Sequence, residues 1–443
     1  MVPDVPATSG DYAADSATFS AFWKNGAAEL GRLPPKPRRN PVEQASAETI
    51  KHRGRIARYV FLGAHAPTLY DRLTDNRRKF VRIDWLAYAA AEAVPGLVPM
   101  HAEVEREAQL RQGDKEGIEI DQGILCNQFL ANPQCGMHLC HAMLMPLEES
   151  ADALARFEVE GRIDLGTARV ERIGKAATLI LANQRFLNSE DAGTQLATEI
   201  GADVCILDGE SQMAVLRGDV IDHGKYTGRR VFNSGINLTH LYHGKIPFLW
   251  FLIREMGFVN KIVRGVAYPH VLPDEVSGDS IEKLWIGAVD TFAIGGGCQL
   301  MLTMDFNVAA NDAYMTLPAR KEGIIPGVSN MRLARFVGDR LARQAIMYER
   351  RFECDSEDGR KICDEVVPPE DIDTTLVRVI DRIGSAGHVG AIGNRRALRV
   401  SLEPLDLFRR YTALYAREQA HCHFSPALID NLERHWNAQN RAA

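Results

Sequence analysis

Three consecutive glycines, Gly295 to Gly297, follow a strand-like run, Leu284 to Val289, and open an apolar helical run. Glycines at this point leave backbone N–H groups uncovered at the start of a helix, where the peptide dipoles favour an anion. Such a site can hold a phosphate or an enolate oxygen. The spacing fits neither the dinucleotide fingerprint G-x-G-x-x-G nor the P-loop, which requires a lysine after its last glycine.

A second turn of related chemistry lies upstream, in the segment Arg229 to Asn237, where a strand-like stretch reaches Gly235. Two N–H groups that converge from separate turns form an oxyanion hole, which stabilises a thioester carbonyl as it becomes an enolate. The two turns together therefore indicate chemistry on an acyl thioester.

The segments around both turns resemble the enoyl-CoA hydratase (crotonase) superfamily, across roughly residues 166 to 370. The similar segments are Phe232 to Ile236, Trp285 to Gln299, Leu317 to Ala319, Gly323 to Gly327 and Ala334 to Gly338. This resemblance implies an α/β fold whose core is a spiral of ββα turns, and a CoA thioester as the substrate. It also implies that the two oxyanion donors are the backbone N–H groups of Ile236 and Gly296.

Two positions depart from the pattern of the superfamily. The hydratases hold and activate water with two glutamates, and this sequence has Gln299 and Ala319 at the corresponding positions. A glutamine cannot accept a proton at neutral pH, and an alanine side chain has no polar group. The sequence therefore predicts that the chain does not hydrate a double bond but can still stabilise a thioester enolate.

Within the superfamily, the sequence is most similar to a branch of arylacetyl-CoA dioxygenases from antibiotic biosynthesis. The resemblance implies that the thioester loses its α-proton, the carbanion reacts with O2, and CoA leaves as an arylglyoxylate forms. We expect no metal or organic cofactor, because the delocalised carbanion itself supplies the electrons. Two alternatives stay open: a CoA-thioester hydrolase or isomerase of the same superfamily, and a non-catalytic CoA-binding protein.

Further candidates for the site follow from their neighbourhoods. Arg254 lies in the apolar segment Ile246 to Phe258, and it either fixes a phenolic oxygen or a glutamate near the ring, or pairs with acids on a solvent-facing helix. Glu190 is predicted in the first turn of a helix that begins at Asn188 or Ser189. It either accepts a hydrogen bond from a ring hydroxyl or only stabilises the helix through its interaction with the helix dipole. The other substrate-binding candidates in the two turns are Asn233, Ser234, Gly235, Asn237, Gly295 and Gly297. Two cations, Arg185 and Lys225, either bind the CoA phosphates or are ordinary surface charges.

The composition excludes several classes of protein. A net charge of -6 with dispersed lysines and arginines gives no nucleic-acid footprint, and the longest apolar run, Ile246 to Ile253, is too short to cross a bilayer. The first residues lack the regions of a signal peptide, so we expect a cytoplasmic protein whose eight cysteines are thiols. The clusters Cys135 to His141 and His421 to His423 lack metal-site spacing, and we interpret them as packed thiols and histidines.

The pattern of helix and strand signals divides the chain into three predicted units. An all-helical N-terminal domain covers residues 1–165, with helices predicted at 45–65, 66–91 and 101–112. A crotonase core with the CoA thioester site covers residues 166–370, with strands predicted at 168–173, 176–181 and 204–209. The C-terminal helices, 371–443, are expected to close a neighbour's site in a homo-trimer or hexamer, as the resemblance implies.

Overall fold

The computed structural model of the protein describes residues 4–385 and 387–442, and its first part is helical. The seven helices that precede the first strand are α1 (Tyr12–Leu30), α2 (Pro41–Leu73), α3 (Ile83–Ala93), α4 (His101–Glu107), α5 (Ile120–Ala131), α6 (Pro133–Leu144) and α7 (Glu148–Glu160). Helix α1 was not among the predicted helices; Asp11 caps its start, and it buries Phe19 and Trp23. The predicted break near residue 66 is wrong, because α2 continues across Pro67.

The strands form two sheets in the described part of the chain. They are β1 (Arg162–Asp164), β2 (Ala168–Ile173), β3 (Ala176–Leu181), β4 (Met213–Gly218), β5 (Trp285–Val289), β6 (Phe292–Ile294), β7 (Phe306–Ala310), β8 (Tyr314–Thr316), β9 (Phe352–Glu353) and β10 (Glu365–Val367). The larger sheet has the order β1-β2-β3-β4-β5-β7-β10 and is parallel from β3 onward, while the smaller sheet has the order β6-β8-β9. The predicted bounds of β2 and β3 are confirmed.

The helices that follow β3 alternate with these strands and then close the chain. They are α8 (Ala192–Leu207), α9 (Leu238–Tyr242), α10 (Phe248–Arg254), α11 (Asn260–Arg264), α12 (Gly296–Met301), α13 (Ala319–Glu322), α14 (Ser329–Tyr348), α15 (Ile372–Gly384), α16 (His388–Leu402), α17 (Leu405–His423) and α18 (Pro426–Trp436). The predicted strand at 204–209 is wrong, since Val204 to Leu207 end α8 and the next strand is β4. A helix buried on most of its surface gives the same apolar run as a buried strand.

Two large hydrophobic cores and one small cluster, Ile221, Val231 and Phe292, lie among the described residues. The first lies around the larger sheet, where every residue of β3 and β5 is buried. The second joins the N-terminal helices with α10, α17 and α18. Helices α5 and α17 can approach closely because Gly123 has no Cβ atom; a Cβ atom there would lie only 2.5 Å from the Cβ atom of Ala420. The last helices thus pack on the first ones, and the domain boundaries at residues 165 and 370 stay predictions.

Histidines in both clusters, Cys135 to His141 and His421 to His423, contact other groups of the protein. On α6, the Nδ1 atom of His138 lies 2.7 Å from the hydroxyl of Tyr70, and burial lowers the pKa of His138 to about 4. His423 contacts the carbonyl oxygen of Ile246 at 3.1 Å. Within residues 4–385 and 387–442, no group of three or more His, Cys, Asp or Glu side chains is placed to hold a metal ion. No helix in these ranges is long and apolar enough to cross a membrane.

Candidate active site

The two glycine turns meet at one point in the structure. Gly235 and Gly295 have φ angles of +84° and +51°, a backbone region that glycine adopts without strain. A Cβ atom on Gly235 would lie 2.9 Å from the carbonyl oxygen of Ile294 and 3.3 Å from the nitrogen of Gly296. The N–H group of Ile294 donates to the carbonyl oxygen of Asn233 at 3.0 Å, which fixes the two segments side by side.

Two N–H groups at this junction are free to bind a ligand. Gly296 is the first residue of α12, so its N–H group has no helical acceptor. Ile236 lies between two backbone bonds of 2.8 Å, from Glu190 to Gly235 and from Asn237 to Glu190. In the part of the chain that the structure describes, neither Ile236 nor Gly296 donates a backbone hydrogen bond, and both line one pocket. Two unpaired N–H groups in one pocket are what an oxyanion hole requires, and the assignment of the two donors stays a prediction.

Four other predicted substrate-binding residues shape the turns and do not line the pocket. The Oδ1 atom of Asn233 accepts from the N–H group of Gly235 at 2.6 Å. Ser234 donates to a backbone carbonyl at 3.1 Å, and Asn237 caps the start of α9. Gly297 allows α12 to approach the first turn, because a Cβ atom on it would lie 2.6 Å from the carbonyl oxygen of Asn233. Their direct contact with a substrate stays a prediction.

The two cations predicted for the CoA phosphates are exposed and lie outside the pocket. The guanidinium of Arg185 lies 4.8 Å from the ring centroid of Phe186, and the ammonium of Lys225 lies 4.7 Å from that of Tyr226. The structure does not bring either cation to the oxyanion turns, and their role with CoA stays a prediction.

A π-helical turn places two charged residues in the pocket. Helices α10 and α11 are joined by the π segment Glu255–Val259, a feature that is frequent at functional sites. Arg254 precedes this segment and Glu255 begins it, and both residues line the pocket. The alternative in which Arg254 faces solvent is excluded, because its side chain is only 5% exposed.

All five guanidinium donors of Arg254 have acceptors. Nε and Nη2 bind the two oxygens of Glu190 at 2.5 and 2.9 Å, and Nη2 also donates to the carbonyl oxygen of Gly296 at 3.2 Å. Nη1 donates to Glu255 and, at 2.8 Å, to the Oε1 atom of Gln299. Burial lowers the pKa of Arg254, but the charges of Glu190 and Glu255 outweigh this effect and raise the pKa above its ordinary value. Arg254 therefore stays cationic and joins three polar side chains beside the oxyanion turns.

The sequence predicted Glu190 in the first turn of a helix, and this prediction is wrong. Helix α8 begins after Asp191, whose side chain accepts from the backbone and caps the helix, rather than after Asn188 or Ser189. Asn188 has a φ angle of +55° and cannot start a regular helix there. Glu190 instead forms an isolated parallel bridge with Ile236. This bridge holds the carboxylate of Glu190 beside the oxyanion turn, and its predicted contact with a ring hydroxyl stays a prediction.

Glu322 also lines the pocket, and the sequence reasoning missed it. It lies three residues after Ala319 in α13, so both side chains share one face of the helix. Glu322 is 9% exposed, and it has no hydrogen-bond or ion-pair partner among the described residues. Burial raises the pKa of Glu322 to about 7. The sequence signal that could have revealed Glu322 was its spacing of three residues from Ala319, the position where hydratases carry an acid.

Two more polar atoms in residues of the pocket wall have no hydrogen-bond partner among the described residues. The Oε2 atom of Glu255 and the Nε1 atom of Trp250 are buried without a hydrogen bond in the described part of the chain. Each such group costs about 1–3 kcal/mol when it stays unsatisfied. The remaining wall is mostly apolar and includes Ile236, Phe251, Leu317, Pro318, Ile324, Ile325 and Pro326. An apolar wall that carries a few polar groups is the lining typical of a small-molecule site.

Comparisons with known proteins identify the family and the fold that the chain resembles. Residues 275–407 match the family model of enoyl-CoA hydratase/isomerase. The (3,5-dihydroxyphenyl)acetyl-CoA 1,2-dioxygenase of Amycolatopsis orientalis is 44% identical over 393 residues, which are 88% of this chain and 89% of that protein. The short-chain-enoyl-CoA hydratase of Clostridium acetobutylicum is 23% identical over 243 residues, 54% of this chain and 84% of that protein. A solved enoyl-CoA hydratase from Mycobacterium avium subsp. paratuberculosis K-10 covers 61% of this chain and 98% of its own, with a TM-score of 0.50 at 18% identity. This last likeness concerns the fold alone and confirms the predicted crotonase-type core.

Proposed function

The chain belongs to the enoyl-CoA hydratase/isomerase family, and from this premise we propose that it is a cofactor-independent dioxygenase. Its substrates are 3,5-dihydroxyphenylacetyl-CoA and O2, and its products are 3,5-dihydroxyphenylglyoxylate and CoA. The observation that carries the proposal is the likeness to the Amycolatopsis dioxygenase, which extends along nearly the whole chain. The geometry of the pocket supports each step of this reaction.

The oxyanion turns support the first step, the formation of an enolate. A thioester oxygen bound between the free N–H groups of Ile236 and Gly296 accepts two hydrogen bonds as its negative charge grows. Gln299 and Ala319 support oxygenation rather than hydration, because neither side chain can activate water as a base. The pocket can therefore stabilise a carbanion, and it lacks an acid at both positions from which hydratases activate water.

The polar wall of the pocket supports a ring that carries hydroxyl groups. A phenolic hydroxyl both donates and accepts a hydrogen bond. One hydroxyl can donate to the free Oε2 atom of Glu255, and another can accept from the Nε1 atom of Trp250. Glu190, which Arg254 holds, is a further acceptor in the pocket wall. A ring without hydroxyl groups would leave the first two atoms unsatisfied, so we propose that they select a dihydroxyphenyl ring.

The oxygen chemistry follows from the electron-rich carbanion. The aryl ring and the thioester carbonyl delocalise its charge, and it transfers one electron to O2. The radical pair combines at the α-carbon to give a peroxide, whose terminal oxygen attacks the thioester carbonyl and expels CoA as the thiolate. Cleavage of the O–O bond with loss of the second α-proton leaves the arylglyoxylate with both atoms of O2. Since the substrate supplies the electrons, the proposed reaction requires no metal or flavin.

Oxygen uptake by chelator-treated protein tests the proposed function. We expect one O2 to be consumed for each 3,5-dihydroxyphenylacetyl-CoA, with both atoms of ¹⁸O2 in the arylglyoxylate and an unchanged rate after metal removal. Phenylacetyl-CoA is the matched control, because it lacks the two ring hydroxyls. Release of CoA without oxygen uptake would identify a hydrolase instead. Activity that returns only with Fe²⁺ or flavin would contradict the cofactor-independent reaction.

We also propose a homo-trimer or hexamer in the cytoplasm. Helix α16 exposes Val389, Leu398 and Leu402, an apolar surface suited to contact with a second copy. The eight free cysteines are compatible with a reducing compartment. Light scattering should give three or six times the mass of one chain, and Val389→Glu with Leu398→Glu should lower it. Val159→Glu, an exposed position on α7, is the control. A monomeric wild-type mass would contradict this proposal.

A further inference from the structure

We propose that Glu322 is the base that removes the α-proton of the thioester. This inference rests on the proposed function, since it assigns a catalytic group to the enolate-forming step. The position differs from both acids of the hydratases, which correspond to Gln299 and Ala319 in this chain. The base of this pocket would thus lie one helical turn beyond the position of the missing hydratase acid.

The geometry brings Glu322 to the oxyanion turns. A Cβ atom added to Gly295 would lie 3.8 Å from the Oε1 atom of Glu322 and 3.6 Å from the Cα atom of Gly235. The α-carbon of an acyl group lies only about 2.4 Å from its carbonyl oxygen, given the lengths of the two bonds. A thioester oxygen bound by Ile236 and Gly296 therefore places its α-carbon beside the same turn that faces Glu322.

Glu322 is the pocket carboxylate that is free to take a proton. Arg254 engages both oxygens of Glu190 and one oxygen of Glu255. Within the described residues, Glu322 alone among these three carboxylates has both oxygens without a hydrogen bond or ion pair. Its position inside the pocket makes the carboxylate available to the substrate.

The charged side chains on and around α13 pair with groups other than Glu322. On α14, Arg332 and Arg335 pair with Glu403, and on α18, Glu433 accepts from the hydroxyl of Tyr242. On α13 itself, the cations pair away from the pocket: Arg320 and Lys321, both with Glu349. Burial alone therefore sets the pKa of Glu322, raised to about 7, and a general base works best at neutral pH with such a pKa.

The proton balance of the reaction uses Glu322 twice. The carboxylate first takes one α-proton, and the electron pair of that C–H bond becomes the enolate. After oxygenation, protonated Glu322 gives this proton to the departing CoA thiolate and is a carboxylate again. It then takes the second α-proton as the O–O bond breaks; the C–H electrons form the ketone, and the O–O electrons remain on the new carboxylate. One thioester and one O2 thus yield one arylglyoxylate and one CoA thiol, and Glu322 becomes a carboxylate again when it releases the second α-proton to solvent.

Oxygen uptake by Glu322→Gln and Glu322→Asp tests this assignment. We expect Glu322→Gln to lower kcat by about 100-fold or more with unchanged thioester binding, because general bases contribute factors of this size. Glu322→Asp should keep part of the activity and show a larger isotope effect with the α-dideuterated thioester. The wild-type kcat/KM should rise with pH through about 7, and this rise should disappear in Glu322→Gln. Glu119→Gln removes another buried glutamate whose pKa is raised to about 7, outside the pocket, and is the matched control.

Thermal unfolding separates a folding defect from a catalytic one. Because burial raises the pKa of Glu322 above its unfolded value, the stability that the protonated group contributes is complete below about pH 4.5 and is lost as the pH rises through about 7. Glu322→Gln should therefore melt at the wild-type temperature at pH 4 and above it at pH 8. Melting below the wild type at pH 8 would contradict an unpartnered carboxyl at this position.

The outcomes distinguish the inference from the proposed function. Wild-type protein that consumes no O2 with 3,5-dihydroxyphenylacetyl-CoA would overturn the dioxygenase itself. Wild-type oxygenation that persists in Glu322→Gln, with the same rate and pH dependence, would overturn the role of Glu322 and leave the dioxygenase standing. Loss of activity together with the altered isotope effect in Glu322→Asp would support the proton transfer.

Discussion

Arg254→Lys is expected to lower kcat/KM for oxygenation by about 100-fold or more, while the protein still folds. The guanidinium holds Glu190, Glu255 and Gln299 at once, with the donors of a planar fork. A lysine keeps the charge, but its single nitrogen cannot reach all three acceptors. A buried carboxylate that loses its cation is destabilised by several kcal/mol, and about 2.7 kcal/mol already corresponds to 100-fold in rate.

A buried arginine outside the pocket provides the matched control for this prediction. Arg395 is 9% exposed and pairs with Asp305 and Glu282. Arg395→Lys should destabilise the fold to a similar extent, as followed by thermal unfolding, and leave kcat/KM nearly unchanged. Wild-type kinetics in Arg254→Lys would instead remove Arg254 from the site and return it to a purely structural role.

The glycine turns were predictable because close backbone contacts restrict the sequence. Gly235 and Gly295 adopt positive φ angles, and Gly297 has no room for a Cβ atom. Such positions exclude other residues, so the requirement is visible in one sequence. The strands β3 and β5 were predictable because each is a short buried run, and β2 was predictable because buried apolar residues alternate with charged ones at its start.

The polar cluster around Arg254 could not be predicted as a unit. Glu190, Arg254 and Gln299 come from three distant segments, and only the fold brings them within hydrogen-bond distance. The π segment that turns Glu255 into the pocket has no known signature in the sequence. Glu322 was missed because the superfamily pattern directs attention to Ala319, where the acid is absent. Side-chain burial, which leaves Glu322 unpaired, depends on the packing of α13 and is not encoded in any local motif.

Gln299→Glu is expected to slow oxygenation by about 10- to 100-fold with unchanged thioester binding. The Oε1 atom of Gln299 accepts from Arg254, while its amide nitrogen makes no hydrogen bond in the described part of the chain. A glutamate keeps the acceptor, loses the amide donor and adds a negative charge near Glu190 and Glu255. This charge repels the developing enolate. Oxygen uptake and the thioester Kd measure the effect, and Gln299→Met separates the lost hydrogen bonds from the added charge.

The double variant Gln299→Glu with Ala319→Glu tests whether the pocket excludes water chemistry through these two positions. Ala319 is 7% exposed and leaves an apolar surface on α13, which suits uncharged O2. Two glutamates would restore the residue types with which hydratases hold a water molecule. We therefore expect a higher ratio of arylacetate to arylglyoxylate, measured with oxygen uptake in parallel. Gln299→Glu with Ala319→Gln adds the same bulk without the second charge. An unchanged ratio and rate in both double variants would show that Gln299 and Ala319 do not govern the choice between water and oxygen.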